Sequence, residues 1–191
     1  RLSPEARVDN CSFVCNEEMP SSAGKKFPVL ELLSKPYVFG TAMLWLSYFM
    51  CLVVLYVVTN WMPTLFTSSG FSLHKSAVTS SLFHFGGCVG ILLAGWLMDR
   101  FTPIRVVAFF FFMTAVMAVL LGQSISHVTV LTVLVVAMGV GLSGASASMS
   151  PLAAHYYPTS SRVTGVAWML GMGRFGAVAG TFSGAMLLAA N

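Results

Sequence analysis

Five apolar runs, each long enough to cross a bilayer, follow one another between Tyr37 and Ala190 with only short polar breaks. They are Tyr37–Met62, Ser76–Met98, Ile104–Gly122, Val128–Ala153 and Val163–Ala190. A helix rises roughly 1.5 Å per residue, so about 18 to 20 apolar residues span a hydrocarbon core of ~30 Å. Prolines punctuate the pattern: Pro36 opens the first run, Pro63 closes it, and Pro103 opens the third. A proline suits a first helical turn, where its missing N–H is not needed. The expectation is an all-α membrane protein with five transmembrane helices. Composition agrees, because 8% of the residues are charged and soluble domains carry about 25%. The net charge of +4 does not point to nucleic acid, since the basic residues either crowd the first 36 positions beside acidic ones or punctuate the apolar runs.

Residues 1–26 are polar and aperiodic, residues 1–36 read as a linker, and residues 37–191 form the bundle. Within the linker, Phe27, Leu30 and Leu33 recur at spacing three between Lys25, Lys26 and Lys35. That predicts a short interfacial helix near 27–35 on an anionic leaflet, or else a loop packed on the bundle. Lys and Arg set the sidedness. Arg1, Arg7, Lys25, Lys26, Lys35, Arg100, Arg105 and Arg162 fall on one side, and Lys75 alone on the other. The linker and N-terminus are therefore expected in the cytoplasm of an integral plasma (inner) membrane protein. Cys11 and Cys15 have no second ligand pair nearby, while Cys51 and Cys88 read as small packing residues, so no metal and no cofactor are expected. Gly171, Gly173 and Gly176 have the spacing of a dinucleotide fingerprint, but they follow no strand and lie inside a spanning run. No catalytic constellation is present, and no enzyme activity is expected.

Arg174 is the charge that needs explaining, because it stands near the middle of the fifth run. Holding a guanidinium there costs at least ~2.5 kcal/mol, which calls for a partner or a wet cavity. Gly176, Gly180 and Gly184 form a small-residue stripe for close helix packing. At about 100° per residue, Arg174 points roughly 160° away from Gly176. One face is thus built to touch a neighbour and the other to present a cation, either to an anion or to backbone carbonyls. The segment His84-Phe85-Gly86-Gly87-Cys88-Val89-Gly90 parallels Arg174-Phe175-Gly176-Ala177-Val178-Ala179-Gly180 on a run crossing in the opposite direction. His84 accordingly stands opposite Gly86 and Gly90. Histidine is the side chain that titrates near physiological pH, so His84 is a candidate for carrying or gating a proton, or a packed core group. Tyr48, Tyr56, Asn60 and Trp61 could line a cavity or stack on an aromatic ring, with Trp61 equally suited to anchoring at the interface. His155, Tyr156 and Tyr157 are expected in the headgroup belt, and Phe109 to Phe112 facing lipid.

Two motifs carry a family resemblance. Gly95-Trp96-Leu97-Met98-Asp99-Arg100 with the basic turn to Arg105 resembles the loop signature between the eighth and ninth helices of the major facilitator superfamily. Tyr157-Pro158-Thr159-Ser160-Ser161-Arg162-Val163-Thr164-Gly165 resembles its entry to helix eleven. With Asn60-Trp61-Met62-Pro63-Thr64-Leu65 and the segment from Gly165 to Gly180, the chain is similar to the aromatic acid:proton symporter branch. Two places depart from that pattern: the small-residue run Gly144 to Ser150, and Thr181, where a proline is expected.

The resemblance implies helices seven to eleven of a C-terminal six-helix bundle, with the last helix missing. It also implies a partner in the N-terminal half of the same transporter. The implied activity is inward movement of a small aromatic carboxylate, such as a benzoate-type acid, with protons by alternating access. Arg174, Tyr48, Tyr56 and Asn60 would then bind the organic anion and His84 would couple the proton. Asp99 would form a gating salt bridge with Arg100, Arg105 or Arg162, while Gly86, Gly90, Gly176, Gly180 and Gly184 pack helices. Other readings are a facilitator for another organic anion, a sugar acid or a drug, and a truncated, non-transporting membrane fragment.

Overall fold

The structure is a computed structural model that describes residues 37–68, 72–123 and 128–189. The expected interfacial helix near 27–35, Cys11, Cys15 and His127 lie outside the described residues. Five helices account for nearly everything described: α1 (Val38–Ser68), α2 (Leu73–Arg100), α3 (Pro103–Gln123), α4 (Val128–Tyr156) and α5 (Arg162–Ala189). The architecture is all-α, as the apolar runs predict. Pro103 is the first residue of α3, and the backbone N–H groups of Arg105 and Val106 turn back to the Thr102 carbonyl at 2.9 and 3.3 Å.

Pro63 does not end the first helix. It lies inside α1, which runs on to Ser68. A proline removes one N–H and crowds one carbonyl, but in an apolar solvent every other backbone group must still pair within the segment. The Thr67 hydroxyl donates back to the Pro63 and Thr64 carbonyls at 3.2 and 2.9 Å. In the same way α4 carries Pro151 internally and continues beyond Ala153 to Tyr156. Hydroxyls elsewhere bond to their own helix, as Ser80 does to Ser76 and Thr114 to Phe110.

Four of the five helices are long and apolar enough to cross a membrane, namely α1 to α4. The exception, α5, has the length at 28 residues, but Arg174 and six glycines dilute its apolar content. Its place beside α1 and α4 comes from packing instead.

Helix α4 is the hub. It packs most extensively on α2 and α3 and also touches α1 and α5, while α1 and α5 form a second close pair. Apolar clusters fill the joints. One joins Leu44, Tyr48 and Leu52 to Met149, Ala153, Tyr157 and Met169, and another joins Met62 and Phe83 to Leu131, Val135, Met138 and Leu142. Phe110 is buried against Ala94, Val106 and Ala145, with Gly144 leaving room for its ring. Of the four consecutive phenylalanines, then, Phe109 and Phe112 face outward and Phe110 belongs to the core.

The two close pairs are built alike. A Cβ added at Gly86 or Gly90 of α2 would strike the carbonyls of Val136 or Val140 of α4. One added at Gly176 or Gly180 of α5 would strike those of Phe49 or Val53 of α1. Both the glycines and the carbonyls they meet are spaced by four. From residue 81 to 90 and from 171 to 180, the order of buried, half-buried and exposed positions is identical, residue for residue. His84 and Arg174 occupy the same place in this pattern, exposed two residues before the first packing glycine. This is the arrangement expected of an inverted repeat, with α2 against α4 matching α5 against α1.

Candidate functional site

Arg174 stands twelve residues beyond Arg162 on α5, about 18 Å along the axis and close to the helix middle. The glycine stripe pins one face of α5 to α1, so the guanidinium emerges on the exposed side. Its neighbour Gly173 lies directly against the Tyr48 ring, where any side chain would collide with the ring and with Leu52. Tyr48 itself is buried. Its hydroxyl pairs with Ser146 of α4, and the charge of Arg174 and the phenol of Tyr56 lie near enough to act on it. Helices α1, α4 and α5 thus place a cation, a second phenol and a serine hydroxyl within electrostatic reach of Tyr48.

Asn60 lies farther along α1, one turn beyond Tyr56. It is exposed and reaches across to α5, where its Nδ2 donates to the Thr181 hydroxyl at 3.0 Å. Thr181 follows Arg174 by seven residues, which at about 100° each returns to within roughly 20° of the same direction, ~10 Å farther along the helix. The Trp61 indole N–H donates to the Thr181 carbonyl at 3.2 Å, and Gly184 packs on the Trp61 ring. Trp61 therefore ties α1 to α5. In the sequence Ser146 and Thr181 stand out only as departures from a pattern, since small polar residues in apolar runs are common. Their roles depend on what α1 places opposite them.

Toward the end carrying Asp99, Arg105 and Arg162, the Trp45 and Trp168 rings stack at 5.9 Å with 15° between planes. Tyr157 is turned into the bundle. It is 2% exposed, with its ring lodged against Gly165 at the start of α5, and burial pushes its phenol above the ordinary tyrosine value. Tyr156 is half-buried and donates to the Tyr37 carbonyl at 3.3 Å, while His155 is exposed.

The remaining candidates stand apart. His84 is exposed eleven residues into α2, and α2 and α5 share at most a marginal contact, so His84 and Arg174 are placed equivalently without meeting. Cys88 is exposed on the same helix, whereas Cys51 is buried. Asp99, Arg100, Arg105 and Arg162 are all exposed at one end of the bundle. Arg100 lies over the Trp96 ring at 4.7 Å, and among the described residues no ion pair joins Asp99 to the three arginines.

A mid-helix guanidinium beside phenol and hydroxyl groups can hold a planar anion, with charge-assisted hydrogen bonds at one end and neutral polar groups at the other. Residues 17–191 match the family model of the Major Facilitator Superfamily. Over 191 residues the chain is 44% identical to the 4-hydroxybenzoate transporter PcaK of Acinetobacter baylyi, an alignment covering all of this chain and 42% of that protein. It is 44% identical over 163 residues to the gallate transporter of Pseudomonas putida, covering 85% of this chain and 36% of that one. It is 33% identical over 168 residues to the benzoate transport protein of Acinetobacter baylyi, covering 88% and 35%. The chain thus spans less than half the length of these relatives, and no solved structure matches it.

Proposed function

This chain belongs to the Major Facilitator Superfamily, and we propose that it is the second-half bundle of a proton-coupled symporter for small aromatic carboxylates. The observation that carries this reading is an exposed mid-helix guanidinium, Arg174, within electrostatic reach of the buried Tyr48 phenol, which pairs with Ser146 and lies near Tyr56. The similar relatives are named as transporters of 4-hydroxybenzoate, gallate and benzoate, each an aromatic ring bearing one carboxylate. That chemistry fits a site offering one cation and several neutral donors and acceptors.

In this mechanism the exposed faces of α1, α4 and α5 meet the N-terminal half of the same protein across a water-filled cavity. The substrate carboxylate enters and takes the guanidinium fork of Arg174, whose pairing strengthens as the cavity dries. The ring lies toward Tyr56 and Asn60. His84, at the matching position of the repeat, accepts and releases the coupled proton. Asp99 meets a basic partner (Arg100, Arg105 or Arg162) when the cytoplasmic side closes and parts from it when that side opens. The linker and N-terminus lie in the cytoplasm, and the protein resides in the plasma (inner) membrane.

Uptake assays on the full-length protein test the substrate class. Unlabelled benzoate-type acids should compete with labelled 4-hydroxybenzoate, and sugars should not. Competition by sugars or by unrelated drugs alone would replace this reading with a facilitator of another class.

A further inference from the structure

The hydrogen bonds around Thr181 fix the orientation of an exposed amide. The Thr181 hydroxyl donates its one hydrogen to the Ala177 carbonyl at 3.0 Å. Toward Asn60 it can therefore act only as an acceptor, so the amide must turn its N–H₂ to Thr181, as it does at 3.0 Å. The carbonyl Oδ1 of Asn60 is then directed away from α5, and among the described residues nothing donates to it. An amide free to flip would present a donor or an acceptor with equal ease, whereas this one presents an acceptor. The Trp61 indole, bonded to the Thr181 carbonyl, holds the same turn of α5 against α1.

Resting on the reading of Arg174 as the carboxylate site, we infer that Asn60, oriented by Thr181, reads a hydroxyl on the far side of the substrate ring. Thr181 projects in nearly the same direction as Arg174 and about two turns beyond it, roughly 10 Å along the axis. A benzoate hydrogen-bonded at its carboxylate and at a hydroxyl across the ring covers a similar length. A phenolic hydroxyl is a donor and satisfies the Oδ1 acceptor. A bare C–H or a methoxy group offers no hydrogen and leaves that acceptor unpaired in a drying cavity, and such mismatches carry specificity. The site is thereby matched to ring-hydroxylated benzoates over benzoate itself and over methoxybenzoates. Asn60 is the specificity-determining contact and Thr181 its positioning residue.

The test is uptake kinetics in cells expressing the full-length transporter, with 4-hydroxybenzoate, 4-methoxybenzoate and benzoate each assayed against wild type, Asn60→Leu, Thr181→Val and Arg174→Ala. Membrane abundance is measured by immunoblot. Wild type should favour 4-hydroxybenzoate, and Asn60→Leu should erode that KM preference about tenfold, the scale of one well-made hydrogen bond. Thr181→Val, nearly isosteric, should erode it in the same direction and decides the matter if Asn60→Leu fails to reach the membrane. A structural loss would scale all three substrates together. An unchanged preference in these variants, or a wild type indifferent to the hydroxyl, overturns this inference alone if Arg174→Ala is inactive. Full uptake by Arg174→Ala overturns the carboxylate site and this inference with it.

Discussion

Gly180 of α5 lies against the backbone carbonyl of Val53 of α1, and Gly90 of α2 lies against that of Val140 of α4 in the same way. Close backbone approach through small residues is how helices associate where lipid removes the hydrophobic drive between them. A methyl group at Gly180 would have to displace backbone rather than the end of a side chain. Gly180→Ala is expected to destabilise the bundle by about 1–3 kcal/mol, the usual cost of overpacking. Gly171 has nothing within 4 Å of an added Cβ, so Gly171→Ala should leave stability unchanged or raise it slightly, as alanine favours a helix. Thermal unfolding of the two variants in detergent checks this. Equal melting would show that the α1–α5 seam is not packed as described.

His84 matches Arg174 in the repeat but stands on the other pair of helices. If it carries the coupled proton, His84→Ala should change the pH dependence of uptake and weaken accumulation driven by a proton gradient, while counterflow exchange of substrate persists. An unchanged pH profile would leave His84 with no part in proton coupling.

Asp99 and its basic neighbours are exposed, and surface charge pairs contribute only about 0–1 kcal/mol. Asp99→Asn should therefore shift the melting of the protein hardly at all. As a gate residue it should nonetheless lower uptake about tenfold or more. A large loss of stability with transport per folded molecule preserved would assign Asp99 to folding instead.

How much of this was legible in the sequence differs by feature. Run lengths located five helices, and the glycine spacing with Arg174 gave the packing face of α5 and the side its cation takes. The parallel between His84–Gly90 and Arg174–Gly180 was visible as letters, and the structure adds that the two segments share an order of burial. The sequence misplaces the helix end at Pro63, because a proline stops a helix only where water can take the freed carbonyl and neighbours do not hold the chain. Residue type predicts Phe110 to face lipid and says nothing of what Tyr157 packs on, yet both are buried because Gly144 and Gly165 open space for their rings. Such a pairing joins residues on different helices and has no one-dimensional signature. The same holds for Ser146 and Thr181, which gain meaning only from Tyr48 and Asn60 opposite them.

Arg174 tests the central claim most directly. Initial uptake of labelled 4-hydroxybenzoate should be compared in cells expressing full-length wild type, Arg174→Lys and Arg174→Ala at matched membrane abundance. Arg174→Ala should be inactive. Arg174→Lys should retain a small fraction of uptake with a raised KM, since an ammonium keeps the charge and loses the two-pronged grip on a carboxylate. Wild-type uptake by Arg174→Ala would contradict the account.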